Sequence, residues 1–342
     1  MDIEKRVKSA LDDFYTRNHI DKERYLADHR LAREQCKEID IYIGKDILED
    51  NLHNWISRLD EEMADKLLKL FSKYTYVTQQ EMQYLLSILF ERIQEEVLKQ
   101  GGNYSEILFI SVEAKYKSGG DNIRSILQAI NMNYMTKEQY IASISRIDAS
   151  IVDKYKYIIF IDDIIGTGFT TYTNIKMTYE RFNNIDWKSK KIMLSCLYAR
   201  EKSINMVRKW CKKELNLDIK SVFFNKLHRC FETGYCFSDE EMVAAKELIA
   251  SYERLVNENP RIEEKEYFLG FRESKALISF YYETPNNTLC SFWKYSEYGL
   301  PIFPRQTQRQ PSRLCINDLK KKKEINRLNA YNAGVLINNE NV

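Results

Sequence analysis

Two adjacent aspartates follow an apolar run near the middle of the chain. The run covers residues 158–161, and Asp162 and Asp163 come directly after it. A continuous apolar run is typical of a strand that is covered on both faces, as in a parallel sheet with helices above and below, so the chain is predicted to leave the sheet at Asp162. Ligands of such sheets gather beyond the carboxyl ends of the strands. The carboxylates are therefore expected to accept hydrogen bonds from the cis-diol of a ribose or to hold Mg2+ through water.

The loop after the aspartates has the composition of an anion-binding site. Gly166 and Gly168 permit backbone torsions that are closed to other residues, so consecutive N–H groups can turn toward an anion, and Thr167 and Thr170 add hydroxyl donors. A helix is predicted to begin near Thr170, where its free N–H groups and its dipole favour a bound phosphate. The segment is thus a candidate site for a sugar phosphate.

Other phosphate-binding motifs fit this segment less well. A Walker A loop needs Gly-x-x-x-x-Gly-Lys-Ser/Thr, a dinucleotide fingerprint needs a third glycine, and a phosphatase of the haloacid type needs Asp-x-Asp. A strand that ends in a tight turn with solvated aspartates would explain the glycines. It would not explain two acidic residues followed by two placed threonines.

A second strand, loop and helix pattern precedes the acidic pair. An apolar run at 107–112 is followed by a glycine-containing loop and then by a helical pattern over 123–130. The residues of interest in this loop are Lys117, Ser118, Gly119 and Gly120. A Gly-Gly turn between a strand and a helix can bind an anion. Such turns are common, so the turn alone is weak evidence for an anion site. Its position before the strand with the acidic pair strengthens that interpretation.

Length and composition limit the class of protein. The 342 residues predict about two domains, and 44% apolar with 30% charged residues is ordinary for a globular chain. The formal net charge of +2 does not favour nucleic acid or an anionic membrane as a partner. The start lacks an apolar signal segment and no run approaches the roughly 18 apolar residues of a membrane span, so we expect a cytoplasmic protein without membrane contact. Seven irregularly spaced cysteines fit a reducing compartment.

Apolar periodicity and proline content divide the chain into three parts. All five prolines lie at position 260 or later, and the first hundred residues keep the helical spacing of apolar side chains. Residues 1–102 are therefore predicted as a helical N-terminal region, 103–304 as an α/β domain with a parallel sheet, and 305–342 as a basic tail. The helical region is a candidate surface for a protein partner. The tail could contact nucleic-acid phosphates, although a solvated tail is the simpler interpretation.

The segment 158–170 resembles the phosphoribosyl pyrophosphate signature of type I phosphoribosyltransferases: four apolar residues, two acidic ones and a short loop that ends in Thr-Gly-x-Thr. The chain is also similar to a divergent bacterial phosphoribosyltransferase-like group associated with biological-conflict systems. That similarity includes the helical front, the turn at 118–122, Thr-Pro-Asn-Asn-Thr-Leu at 284–289 and Phe-Pro-Arg at 303–305. It implies a phosphoribosyltransferase-like parallel sheet flanked by helices, preceded by an all-helical region, and a role in antiviral defence.

The resemblance assigns roles to both loops. Asp162 and Asp163 would hold the ribose hydroxyls and the cofactor Mg2+, and with Lys117 they form the implied catalytic set. The implied ligand is phosphoribosyl pyrophosphate or a related nucleotide, and the implied reaction is a glycosyl transfer of the pentosyl type. The implied 5-phosphate loop consists of Gly166, Thr167, Gly168, Phe169 and Thr170. The implied pyrophosphate loop consists of Lys117, Ser118, Gly119 and Gly120.

Two further regions carry weaker candidates. The resembling family has a mobile loop in the interval that corresponds to 133–147, where Lys137 and Arg146 could supply charge, although a solvated helix would carry the same residues. Asn287 and Trp293, in the C-terminal third, could face a base or a partner, or could simply pack.

One residue departs from the purine-salvage members of the family. They commonly carry an aspartate before Thr-Gly that exchanges a proton with the base, and here Gly166 occupies that position, so the expected general acid/base is missing. Transfer can proceed without it because much of the catalysis is electrostatic. Three functions stay open: transfer or hydrolytic release of the phosphoribosyl group, a non-catalytic sensor of a nucleotide or of phosphoribosyl pyrophosphate, and nucleic-acid binding through the tail.

Overall fold

The structure is a computed structural model of the chain. It forms two compact units. Residues 79–228 form one, here called the sheet unit, and residues 1–78 together with 229–342 form the other, here called the helical unit. The structure describes residues 3–20, 45–57, 59–112, 123–124, 126–128, 134–141, 143, 148–257, 267–294, 296 and 301–305.

The described elements alternate between helices and strands through the middle of the chain. The α-helices are α1 (Ile3–Arg17), α2 (Lys45–Ile56), α3 (Glu61–Ser72), α4 (Gln79–Lys99), α5 (Ala149–Lys154), α6 (Phe169–Arg181), α7 (Glu201–Trp210), α8 (Asp239–Val256) and α9 (Cys290–Trp293). The strands are β1 (Thr75–Val77), β2 (Ile107–Ser111), β3 (Tyr140–Ile141), β4 (Tyr157–Ile165), β5 (Lys191–Ala199), β6 (Ile219–Lys226) and β7 (Ile278–Phe280). Short 3-10 segments lie at Tyr104–Glu106, Lys137–Gln139 and Phe271–Glu273, and a π-helical turn lies at Cys211–Leu215. Among the described helices, none has the length and apolar character that crossing a membrane requires.

The sheet unit is built on a parallel sheet with the strand order β3-β2-β4-β5-β6. Every residue of the central strand β4 is buried, because helices cover both faces of the sheet. On one face, Ile158 lies in the same buried cluster as Ile175 of α6 and Val207 of α7. On the other face, the ring of Phe90 in α4 lies 6.3 Å from the ring of Phe109 in β2. The predicted α/β fold, a parallel sheet flanked by helices, is confirmed.

The central strand is longer than its apolar run. The prediction that the chain leaves the sheet at Asp162 is wrong, because β4 continues to Ile165. Asp162 pairs with Cys196 of β5 and Ile165 pairs with Ala199, so the neighbouring strand supplies ladder partners beyond the apolar residues. The apolar run predicted too early an end for the strand, because the hydrophobicity of one segment gives no information about backbone hydrogen bonds from a segment that is distant in sequence. The acidic pair therefore lies inside the last part of the strand.

The helical unit combines the front helices with segments from the C-terminal third. β1 and β7 pair in parallel, with Thr75 opposite Ile278. The core is rich in stacked aromatic rings: Phe14 stacks on Phe71 at 4.7 Å and Tyr74 on Phe303 at 5.0 Å. Such pairs add to the burial of their large apolar areas. The Phe-Pro-Arg segment thus completes a core that the first helices begin.

The two compact units divide the chain differently from the three parts expected from periodicity, 1–102, 103–304 and 305–342. Helix α4 belongs to the sheet unit because its apolar side covers the sheet. Periodicity reveals that a helix has an apolar face but not which partner covers that face. The tail beyond residue 305 lies outside the described residues, and its contact with nucleic acid stays a prediction.

Candidate functional site

The acidic pair lies within the carboxyl-terminal half of the central strand, and Ile164 and Ile165 follow it in the strand. Asp162 and Asp163 are each only 8% exposed. The Asp163 N–H donates to Asp162 Oδ1 at 3.0 Å. Burial, and after it the charge of Asp163 and a hydrogen bond between the two carboxyl groups, raises the pKa of Asp162 well above its usual range. Without a bound cation, the pair therefore holds a proton up to a higher pH than an exposed aspartate does.

The donor set of this pair suits Mg2+. Magnesium in proteins is usually held by one or two carboxylates, and water and substrate phosphates complete its coordination. Among the described residues, no group of three or more His, Cys, Asp or Glu side chains is arranged to hold a metal ion. A cation at Asp162 and Asp163 would offset the repulsion between the two carboxylates.

The loop after the aspartates connects β4 to α6. Gly168 is the N-cap of α6 and has φ 82° and ψ −5°, in the left-handed region that favours glycine. Of the two loop glycines, only Gly168 has a positive φ. The helix begins at Phe169, next to the predicted start at Thr170. Gly166 and Gly168 are buried, whereas Thr167, Phe169 and Thr170 are partly or fully exposed. The loop thus presents its threonines and the first turn of a helix to solvent, which is the arrangement expected of an anion site.

Helix α7 supports this loop from the protein interior. Ser203 is 2% exposed and donates its hydroxyl to Gly166 O at 2.6 Å. One turn further along α7, Val207 packs so closely that a Cβ atom at Gly168 would lie 2.7 Å from Val207 Cγ2. Sequence reasoning missed Ser203, because a single serine on an amphipathic helix carries no local signal. Its spacing from Val207 places both on one helix face, but only the fold shows what that face contacts.

A second contact ties α6 to the end of α7. Tyr172 donates its hydroxyl to the Glu214 carboxylate, and its ring lies 5.4 Å from the ring of Trp210. Lys176 Nζ lies 3.6 Å from the same carboxylate. Burial and the hydrogen bond to Glu214 raise the pKa of Tyr172 to about 12. The helix that follows the loop is therefore held at both its start and its second turn.

The second predicted loop cannot be compared with the structure. Lys117, Ser118, Gly119 and Gly120 lie outside the described residues, and so does Arg146. Lys137 is exposed in its 3-10 segment. The strand before the loop is placed as expected: Val112 N–H donates to Ile161 O at 2.9 Å, directly before the acidic pair. The pyrophosphate role of the loop stays a prediction.

Two candidates in the C-terminal third take part in packing. The Asn287 carbonyl accepts a hydrogen bond from Ser274 Oγ at 2.6 Å. Trp293 is 7% exposed, and its indole N–H donates to Thr288 O at 2.9 Å. The Asn287 backbone and the Trp293 side chain therefore contribute to packing in the helical unit, and Asn287 itself is 9% exposed.

A parallel sheet with a buried acidic pair and a glycine-threonine loop near its carboxyl edge is the arrangement expected of a phosphoribosyltransferase-like protein. A sequence profile of the PRTase-CE family matches residues 52–305, most of the chain, and the chain belongs to this family. It is a phosphoribosyltransferase-like protein of the conflict-system-associated group, as the resemblance implied. Comparisons with curated proteins and with solved structures found no match.

The buried acidic pair is expected to cost stability when no cation is bound. Because the pKa of Asp162 is raised in the folded state, the folded protein binds more protons than the unfolded chain above about pH 4, so stability falls as the pH rises toward the raised pKa. For one proton the slope is at most about 1.4 kcal/mol per pH unit. Asp162→Asn removes this dependence and keeps the oxygen that accepts the Asp163 N–H.

We therefore expect Asp162→Asn to melt several degrees above wild type at pH 8 and close to wild type near pH 4, measured by thermal denaturation with a chelator present. Asp186→Asn, at an exposed aspartate of the same unit, is the control and should leave the pH dependence unchanged. A difference between Asp162→Asn and wild type that is equal at both pH values would contradict the explanation.

Proposed function

We propose that the protein binds phosphoribosyl pyrophosphate, or a related nucleotide, together with Mg2+, and that it transfers or hydrolytically releases the phosphoribosyl group. The observation that carries the proposal is the buried acidic pair at the end of β4, joined by the loop at 166–168 to the N-terminus of α6. Its place in antiviral defence is part of the proposal and rests on the family alone.

Each part of the site has a role in this proposal. Asp162 and Asp163 accept hydrogen bonds from the ribose hydroxyls, which orients the sugar. The threonines of the loop and the first N–H groups of α6 bind the 5-phosphate. Bound Mg2+ would supply positive charge to the departing pyrophosphate. Lys117 and the glycine loop at 118–120 are proposed to bind that pyrophosphate.

The reaction breaks the bond between the ribose C1 and pyrophosphate, which leaves with the electron pair. An acceptor nitrogen or a water molecule forms the new bond to C1 and then loses a proton. Gly166 offers no side chain to take that proton, and its carbonyl already accepts the Ser203 hydroxyl. The proposal therefore assigns no protein base at this position, and the proton of either acceptor passes to solvent.

The test is calorimetric titration with phosphoribosyl pyrophosphate and Mg2+. Two hydrogen bonds to charged groups contribute about 1.5–3 kcal/mol each, so Asp162→Asn combined with Asp163→Asn should weaken binding at least about 100-fold. Asp186→Asn is again the control, and thermal denaturation verifies that the double variant is folded. Equal affinity of the double variant and wild type would remove the assigned site.

A second candidate function is a non-catalytic sensor that uses the same pocket for a nucleotide or for phosphoribosyl pyrophosphate. The absence of a side chain at Gly166 favours it, because a sensor needs no acid or base. Pyrophosphate release, measured with a panel of bases and with water alone, separates the two functions. Turnover that disappears in the double asparagine variant would exclude the purely sensory function.

A further inference from the structure

Helix α7 meets the candidate phosphate loop through a buried hydroxyl. Ser203 Oγ lies 2.6 Å from Gly166 O, and both residues are buried. A buried hydroxyl and a buried carbonyl each lose free energy if they lack a hydrogen-bond partner, and here each group satisfies the other. Breaking this hydrogen bond would leave two buried polar groups without a partner, so the bond is a fixed part of the loop structure.

This hydrogen bond orients a whole peptide unit. The Gly166 C=O and the Thr167 N–H belong to one planar trans peptide, in which the two groups point in opposite directions. Because α7 holds the oxygen, the Thr167 N–H points away from α7. Thr167, Phe169 and Thr170 are partly or fully exposed, so this part of the loop is open to solvent.

Close packing next to Ser203 limits any rearrangement of the loop. The Gly168 Cα lies against α7, since a Cβ there would be 2.7 Å from Val207 Cγ2 and 3.0 Å from Ser203 O. Val207 is fully buried and its β-branched side chain has little torsional freedom. The peptide between Gly166 and Thr167 is thus held by a hydrogen bond on one side and by the packing of Gly168 on the other.

We propose that Ser203 is a positioning residue that orients the Thr167 N–H to donate to the 5-phosphate of the ligand. This inference rests on the proposed function and adds the group that prepares its phosphate site. A donor that is oriented before the ligand arrives needs no reorganisation on binding, which is why preorganised N–H groups bind anions effectively. The ligand class is a phosphomonoester carried on ribose.

The chain offers a matched control for Ser203. Ser195 in β5 is also buried, at 1% exposed, and its hydroxyl also donates to a backbone carbonyl, Phe223 O at 3.2 Å. Ser195→Ala therefore removes the same kind of interaction from the same unit without touching the loop. Ser203→Ala and Ser195→Ala should have similar effects on stability and different effects on ligand binding.

The first test measures affinity for ribose 5-phosphate and for phosphoribosyl pyrophosphate with Mg2+. We expect Ser203→Ala to weaken both about tenfold, the effect of losing about 1.4 kcal/mol. Ser195→Ala should keep the wild-type affinity. An unchanged affinity in Ser203→Ala, or an equal loss in both variants, would overturn the inference while leaving the proposed function in place.

The second test does not depend on phosphoribosyl pyrophosphate. In protein with isotope-labelled threonine, inorganic phosphate should shift the Thr167 amide resonance of wild type and of Ser195→Ala, but not that of Ser203→Ala. If wild type fails to bind phosphoribosyl pyrophosphate and this pattern is still seen, the proposed function fails and the role of Ser203 stands. If phosphate does not shift the Thr167 amide resonance of wild type, the proposal that Ser203 orients this N–H toward phosphate is wrong.

Discussion

Gly168→Ala is expected to destabilise the sheet unit by about 2–4 kcal/mol and to weaken phosphate-ligand binding at least about tenfold. Two costs add. The backbone φ of 82° is unfavourable by about 1–2 kcal/mol for any residue with a Cβ atom. The added Cβ would also lie 2.7 Å from a methyl group of Val207 and 3.0 Å from the backbone oxygen of Ser203.

Neither neighbour can move easily. Val207 is fully buried in the cluster beneath the sheet, and Ser203 O is part of the α7 backbone. The loop itself must therefore shift, which disturbs the hydrogen bond to Gly166 O and the start of α6. Denaturant unfolding measures the loss of stability, and calorimetric titration with phosphoribosyl pyrophosphate and Mg2+ measures the loss of binding.

Gly101 provides the control for the torsional cost. It has a φ of 74° in the same unit, and a Cβ atom there would meet nothing within 4 Å. Gly101→Ala should therefore lose only about 1–2 kcal/mol and should keep the ligand affinity of wild type. If the two alanine variants unfold at the same denaturant concentration, close packing against α7 does not constrain the loop.

Gly270→Ala is expected to have the largest effect on the helical unit, a loss of about 3–5 kcal/mol. Gly270 has φ 80° and ψ 163°, a combination that is essentially restricted to glycine. A Cβ atom would lie 2.2 Å from the Asn287 backbone oxygen, far inside van der Waals contact. That oxygen also accepts hydrogen bonds from Ser274 Oγ at 2.6 Å and from Ala276 N at 3.1 Å, so it cannot retreat without breaking them.

Fluorescence-monitored denaturation can follow this loss, because Trp55 and Trp293 are buried in the helical unit. Gly234→Ala is the control in the same unit: its φ is 68°, and a Cβ atom there would meet nothing within 4 Å. It should unfold within about 2 kcal/mol of wild type. A Gly270→Ala protein as stable as Gly234→Ala would show that the segment at 270–287 can open at little cost.

The two glycines illustrate how far the sequence could predict each part of the molecule. The segment from Ile158 to Thr170 carries a strong local signal because its strand, acidic pair, glycine loop and helix start are consecutive, and local chemistry predicts their order. Gly270 carries no comparable signal, because the need for glycine there comes partly from the close approach of the Asn287 backbone, 17 residues further along the chain. Similarly, the α4 helix was predictable from periodicity, but its partner, the sheet, was not.

By itself, the sequence determined the class of the fold and the order of strand, acidic pair, glycine loop and helix, because buried strands, glycine turns and helix starts are encoded over a few neighbouring residues. Only the tertiary structure decided that β4 extends to Ile165, that Ser203 holds the Gly166 carbonyl, and that Phe303 completes the core around Phe14. These features join segments that are distant along the chain. Their free energy comes from hydrogen bonds and close packing that exist only after the chain has folded.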